Sequence, residues 1–151
     1  MNYLFISPKD SSYPAYLRLR WEMLRKPWGL PLQSAEDELE SLACHVLAQQ
    51  QSSAIGVGRI HAINETEWQI RYMAVLPAYQ GQGIGRQILS LLEHHALEQG
   101  AEQILLHARE KALGFYQQQQ YLLVKKSHVL FGEIQHYEMC KSLQRPRRKG
   151  D

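Results

Sequence analysis

Between residues 74 and 96 the chain reads AVLPAYQGQGIGRQILSLLEHHA, so that Gly81, Gly83 and Gly85 alternate with Gln82 and Ile84 just ahead of an apolar run. Glycine loses more backbone freedom on ordering than any other residue, so such a loop is kept where a bare backbone is needed. Upstream, EWQIRYMAV (67–75) alternates as a strand should. Trp68, Ile70, Tyr72 and Ala74 fall on one face, and Gln69, Arg71, Met73 and Val75 on the other. Pro77 ends it. Downstream, Ile84, Ile88, Leu91, Leu92 and His95 recur at helical spacing as far as Gln99, and Gly100 supplies the stop. Strand, glycine loop and helix together make an anion cradle. The first N–H groups of a helix lack internal partners, the dipole favours negative charge there, and glycines let the backbone approach a phosphate. Arg86 adds a positive charge in the first turn. Two better-known loops do not fit. A P-loop needs Lys and then Ser or Thr after its last glycine, whereas Arg86 and Gln87 follow Gly85. The dinucleotide fingerprint needs G-x-G-x-x-G after the first strand of a parallel unit, and here G-x-G-x-G follows a meander. On the loop alone, a purely structural role stays open.

The remaining segments predict a mixed α/β (α+β) domain. YLFIS (3–7) reads as a strand. Ser11 and Ser12 can cap a helix through YLRLRWEMLR, with Leu17, Trp21 and Leu24 as its apolar face and Pro27 as its stop. Ser34 with Asp37 resembles a capping box opening the acidic turn SAEDELE. ACHVLAQQ and AIGVGRIHAI read as the first two strands of a meander. In the second, Ile55, Val57, Arg59, His61 and Ile63 share one face, and Gly56, Gly58, Ile60 and Ala62 the other. After the glycine-loop helix come EQILLHA, a continuous apolar strand expected to be covered on both faces, a short helix in EKALGFYQQQQ, and closing strands YLLVKKSHV and HYEMCKS around LFGEI. One domain over 1–143 with helices on both faces of a single sheet is expected, followed by a basic flexible tail at 144–151.

A chain of 151 residues, 44% hydrophobic and 21% charged, matches an ordinary globular domain. The net charge of +2 is too small to argue for nucleic acid, and the excess sits in RPRRKG at 145–150. No signal peptide or long apolar span is seen, which points to the cytoplasm and away from membranes. Cys44 and Cys140 lack metal-site spacing and read as free thiols. No metal is expected.

More than the loop resembles a known family. Gln80-x-x-Gly83-x-Gly85 has the Q/R-x-x-G-x-G/A pattern of the GNAT N-acetyltransferase superfamily, and YMAVLPAYQGQGIG is similar to its VxPxxQGxGIG run. ALGFYQQQQY resembles its AxxFYxxxGF segment, and GEIQHYEMCKS its last hairpin and strand. The resemblance covers residues 42–143 well, and LRWEMLRKPWG is loosely similar to the ElaA-like subgroup. It implies the GNAT fold, a mostly antiparallel mixed sheet flanked by helices, with acetyl-CoA as co-substrate. Backbone groups of Met73, Ala74 and Val75 would hold the thioester and pantetheine arm. Gln80, Gly81, Gln82, Gly83, Ile84, Gly85 and Arg86 would take the pyrophosphate.

Tyr116 matches the tyrosine that protonates the departing thiolate, with Phe115 as the packing aromatic. The position where some relatives carry a catalytic glutamate is Gln69, which is no base. Glu67 lies two residues back on the same face and could reach through water, or be an exposed turn residue; His61 and Glu22 are weaker alternatives. Gln120 stands where the family usually has glycine. The acceptor, a small-molecule or peptide amine, would enter past Glu22, Trp28, Glu36, Asp37 and Glu38, whose carboxylates could attract a cation or form a solvated turn. The expected activity is acetyl transfer from acetyl-CoA to a primary amine by direct attack in a ternary complex. The alternative is a CoA-binding sensor without catalysis, which Gln69 favours. A homodimer is compatible with either.

Overall fold

A computed structural model describes residues 1–144, so the basic tail expected at 144–151 lies almost wholly outside the described residues. The element order is β1 (Asn2–Ile6), α1 (Tyr13–Leu24), β2 (Cys44–Gln50), β3 (Ser53–Ala62), β4 (Glu67–Val75), α2 (Ile84–Glu98), β5 (Gln103–Arg109), α3 (Leu113–Gln118), β6 (Leu122–Leu130) and β7 (Ile134–Ser142). Short 3₁₀ turns at Lys26–Trp28, Leu32–Ala35, Pro77–Tyr79 and Glu110–Ala112 fill the connections. The architecture is the expected mixed α/β fold, a mostly antiparallel mixed sheet flanked by helices. No helix among the described residues is long and apolar enough to cross a membrane.

The chain forms two compact units: Met1–His61 with Ile70–Glu93, and Ala62–Gln69 with the residues from His94 onward. In the first unit the strands run in the order β1-β2-β3-β4. β1 pairs antiparallel with β2 from Asn2↔Gln49 to Ile6↔His45, and β2 with β3 from Cys44↔Ile60 to Gln50↔Ser53. The two faces of β3 take different helices. Val57 joins Leu47, Ala74 and the α1 residues Tyr13, Tyr16, Leu17 and Leu19 in one buried cluster. Gly56 and Gly58, on the other face, meet α2. A Cβ on Gly58 would stand 2.6 Å from both Ile88 and Met73 Sδ, and one on Gly56 2.9 Å from Ile88. These glycines let α2 lie close to the sheet, with Ile84, Ile88 and Leu92 fully buried.

Three local expectations are corrected. Ser12 occupies the N-cap of α1, but its side chain makes no capping bond; the Tyr13 N–H is taken instead by Asp10 O at 3.0 Å. The buried face of α1 is Tyr13, Tyr16, Leu17, Leu19 and Arg20, with Trp21 and Leu24 only half-buried. Hydrophobic periodicity misses this face because a neutralised arginine sits at its centre. The capping box is not Ser34/Asp37. Asp37 Oδ1 accepts the Leu39 N–H at 2.9 Å, and Glu40 Oε2 accepts the Asp37 N–H at 3.1 Å, whereas Ser34 Oγ donates to Pro31 O at 2.6 Å.

The strand expected at 67–75 is β4, with Ile70, Tyr72 and Ala74 buried in alternation with exposed Arg71 and half-buried Met73 and Val75. Tyr72 has φ +58, and left-handed backbone inside a strand is the mark of a bulge.

In the second unit the order is β5-β7-β6, antiparallel throughout. β5 pairs with β7 from Gln103↔Ser142 to Arg109↔His136, and β6 pairs with β7 across two register shifts. Ile104, Leu106 and Ala108 of β5 are buried and their neighbours half-buried, so one face is covered more fully than expected of a continuous apolar run. α2 ends as the sequence predicts. Gly100, at φ +97, lets its N–H reach Leu97 O at 3.1 Å and that of Ala101 reach Ala96 O at 2.9 Å, a Schellman closure.

Candidate active site

The glycine loop belongs to the first unit. Pro77–Tyr79 form a 3₁₀ turn after β4, and Gln80 Nε2 ties back to Val75 O at 2.9 Å. Gly81 and Gly83 take φ +79 and +83, conformations that L side chains rarely adopt. A Cβ on Gly81 would meet nothing within 4 Å, and one on Gly83 only Arg86 Nη2 at 3.6 Å. The glycines are therefore required by backbone shape and not by crowding. Ile84, 2% exposed, anchors the first turn of α2, while Gln80 to Gly83 and Arg86 remain exposed. Gln87 N–H bonds Gly83 O at 3.0 Å. From Gly81 to Arg86, no backbone N–H has a hydrogen-bond partner among the described residues. A run of outward donors at the start of a fifteen-residue helix is chemically suited to a pyrophosphate. The residues present thus fit coenzyme A. Gly81 to Arg86 would hold its phosphates, and the thioester it carries would supply the acyl group. Met73 is half-buried with its sulfur against the α2 side of Gly58, and Ala74 packs in the α1-side cluster.

The same unit contains a buried ionic network of which sequence reading named only some members. Arg20 and Arg59 have 0% exposure and Glu40 6%. Arg20 Nη1 contacts Glu40 Oε2 at 2.7 Å, and its other amino group donates to Tyr16 Oη at 3.0 Å. Arg59 forks onto Asp37 at 2.7 and 2.9 Å and lies 3.1 Å from Glu40 Oε1. Arg71, with 42% of its side chain exposed, reaches Asp37 Oδ2 at 3.2 Å. The Tyr72 ring lies beneath the guanidiniums of Arg20, Arg59, Arg71 and Arg25, at 4.3, 4.9, 4.5 and 5.6 Å. Burial pushes the Asp37 carboxyl up, but bonds from Arg59 and the Leu39 N–H and the charges of Arg59 and Arg71 outweigh it, bringing its pKa down to about 2.

His45 Nε2 lies 2.7 Å from Glu40 O. A carbonyl only accepts, so Nε2 carries the proton and Nδ1 accepts from Tyr16 Oη at 2.8 Å. Burial lowers the pKa of His45, and likewise that of His61. His61 Nδ1 accepts from Arg59 Nη2 at 3.2 Å, which occupies the nitrogen a base would use.

These placements refine the acceptor-side expectations. Asp37 is not a solvated carboxylate: it is half-buried and committed to two arginines. Glu36 accepts from Tyr13 Oη at 2.8 Å. Glu22 and Glu38 are exposed and Trp28 is half-buried. Arg20, Arg59, Glu40, Tyr16 and His45 were missed as a network. The available signal was Arg59 itself, a charge in register with Ile55 and Val57 on an inward face.

In the second unit, Tyr116 is 8% exposed, edge-on to Phe115 at 4.9 Å and to Tyr121 at 5.7 Å. Burial raises its pKa above the ordinary tyrosine value. Its hydroxyl has no hydrogen-bond partner among the described residues. Glu67 begins β4, and its carboxylate accepts from Asn64 Nδ2 at 3.1 Å across the β3–β4 turn. Gln120 has φ +74, the conformation the usual glycine would supply. Among the described residues no cluster of His, Cys, Asp and Glu is arranged to hold a metal ion, and Cys44 and Cys140 are free.

The sheet with its helices and the glycine loop at the start of α2 define a domain of the acetyltransferase type. The model of the acetyltransferase (GNAT) family matches residues 13–121, and the chain belongs to that family, whose general activity is acetyl-CoA-dependent acyl transfer. A Bacillus subtilis (strain 168) protein named provisionally as an acetyltransferase is 28% identical over 144 residues, covering 93% of this chain and 96% of that protein. Among solved structures, an aminoglycoside 6'-N-acetyltransferase complexed with coenzyme A superposes with a TM-score of 0.82 at 16% identity, covering 97% of this chain and 100% of the other. Escherichia coli ElaA gives 0.79 at 18% identity, over 93% and 98%. Both structural likenesses establish the fold.

Proposed function

We propose that the protein transfers an acetyl group from acetyl-CoA to a primary amine by direct attack in a ternary complex. The observation that carries this reading is the row of unpartnered N–H groups from Gly81 to Arg86 beneath two positive-φ glycines. That row suits the diphosphate of coenzyme A, with Gln80 holding the loop to the end of β4. The backbone of Met73, Ala74 and Val75 is assigned to the thioester and pantetheine arm. The amine nitrogen attacks the thioester carbonyl carbon, the C–S bond breaks, and sulfur leaves with its electron pair. Tyr116 gives that sulfur a proton, and its buried phenol is well suited to stay protonated until then. The amine loses one proton in the step. Glu67, reached through water, is the assigned acceptor of that proton, because Gln69 is no base and the accepting nitrogen of His61, Nδ1, is already taken by Arg59. Placement beside ElaA within the family is part of the same proposal and rests on LRWEMLRKPWG.

Thermal melts with and without acetyl-CoA test the donor assignment. A ligand at 100 times its Kd stabilises by about 2.7 kcal/mol. Gly83→Ala puts a side chain on a φ of +83 and should sharply reduce the shift while leaving α2 folded. A wild-type protein whose Tm does not move at millimolar acetyl-CoA would remove the donor from the proposal.

A further inference from the structure

The acidic segment 36–40 invites the idea of a cationic acceptor, yet its charges are already spent. Asp37 and Glu40 face Arg20, Arg59 and Arg71, so two carboxylates answer three guanidiniums. Glu36 is engaged by Tyr13, and neither Glu22 nor Glu38 makes an ion pair with these arginines. The arginine left over is also the accessible one. Arg71 shares Asp37 Oδ2 with Arg59, which already donates to that oxygen at 2.9 Å. Its Nε and Nη2 make no hydrogen bond with any described residue. The Tyr72 ring under its guanidinium and the bond to Asp37 hold the head group in place, so little side-chain freedom is left to lose on binding an anion. Arg71 precedes Met73 by two residues on β4, with the bulge at Tyr72 between them, so their backbones lie no more than about 7 Å apart, the two-residue span of a fully extended strand. An acceptor of amino-acid size can span that interval.

We propose that Arg71 recognises an anionic group on the acceptor, so that the amine acetylated also carries a carboxylate. This rests on the acetyl-transfer reading above and gives its acceptor a charge. The guanidinium fork donates its free N–H groups to a carboxylate in two parallel bonds, and Arg71 is the charge left over once Arg20 and Arg59 are paired with Glu40 and Asp37. A polycationic acceptor meets repulsion at the same place.

The experiment compares each amino acid with its own amide, glycine with glycinamide and β-alanine with β-alaninamide, in the wild type, Arg71→Gln and Arg71→Lys. The quantity read is the acid-to-amide ratio of kcat/KM in each variant relative to wild type, which cancels differences in amine basicity. Arg71→Gln should lower that relative ratio by roughly 10–100-fold, the worth of a charge-assisted hydrogen-bonded contact. The loss should lie mainly in KM, and Arg71→Lys should recover part of it. A ratio unchanged by Arg71→Gln, with acid and amide losing activity equally, would overturn the proposal. Calorimetric binding of the N-acetylated acid and amide to CoA-loaded protein gives a second readout that needs no turnover. An Arg71-dependent preference for the acid there upholds the inference even where acetyl transfer is not seen, and no preference overturns it. A protein that does not bind acetyl-CoA at all fails the donor assignment instead, and that is read separately from the melts.

Discussion

Single residues carry strain that the sequence does not announce. Tyr72 at φ +58, Gln51 and Ser52 at +51 and +68, and Gln120 at +74 all sit in left-handed backbone without being glycine. Left-handed geometry costs an ordinary residue roughly 1–2 kcal/mol. At Gln51-Ser52 the two positive values make the tight turn between β2 and β3, where Asn-Gly would be the usual pair. At Gln120 the chain leaves α3, and the Gln120 side chain donates to Gln118 O at 3.3 Å, its one bond among the described residues. Gln120→Gly should therefore raise stability. Part of the gain is offset by the greater freedom of glycine in the unfolded chain, leaving about 0.5–1 kcal/mol and a Tm rise of a few degrees. A differential scan decides it, and a fall in Tm would mean that the side chain contributes more than the backbone strain removes. Tyr72 is different, because its ring is enclosed by guanidiniums and its substitution would remove that packing together with the strain.

Among the elements, the first unit is bound by ionic groups whose protonation is linked to folding. His45 and His61 have folded-state pKa values lowered by burial, so the unfolded chain binds more protons than the folded one below about 6.5. Their contribution is full above that pH and is lost as pH falls toward the folded values. Asp37 adds a second loss lower down, between 3.8 and about 2. His136 is lowered too, in the second unit. Tm should therefore fall as pH drops from 7.5 to 5. His45→Gln keeps a side-chain donor for Glu40 O and should flatten that slope while lowering Tm at pH 7.5. An unchanged slope would leave the effect to His61 and His136.

The strands and α2 were readable from period and punctuation, because β3, β4 and α2 bury apolar residues at regular spacing and end at Pro77 and Gly100. The network was not readable, since pairing Arg20 with Glu40, or Arg59 with Asp37, requires the segment 32–40 to fold back over α1 and β3. No local pattern encodes that return. The glycine loop was legible because its requirement is local: positive φ at Gly81 and Gly83 immediately before a helix.

For the molecule as a whole, the question is whether the fold catalyses or only binds, and Tyr116 is where that can be asked. Tyr116 belongs to the second unit and the glycine loop to the first. The ring of Tyr116 packs on Phe115 and Tyr121 while its hydroxyl has no partner among the described residues. Tyr116→Phe keeps those ring contacts and deletes one oxygen, so folding and the glycine loop should be undisturbed. A positioned general acid is worth typically 10²–10⁴-fold. The expected result is a fall in kcat of that size in single-turnover release of CoA thiol, with acetyl-CoA affinity changed by less than about 1.5 kcal/mol, the worth of one hydrogen bond. The thiolate leaves poorly when unprotonated, so the loss should be smallest at acidic pH, where solvent protons substitute. If kcat holds, the hydroxyl is a packing end-group and water serves the sulfur. If the wild type binds acetyl-CoA tightly and releases no thiol with any amine, the glutamine at position 69 acquires its simplest meaning. The loop then reports the presence of acetyl-CoA without consuming it.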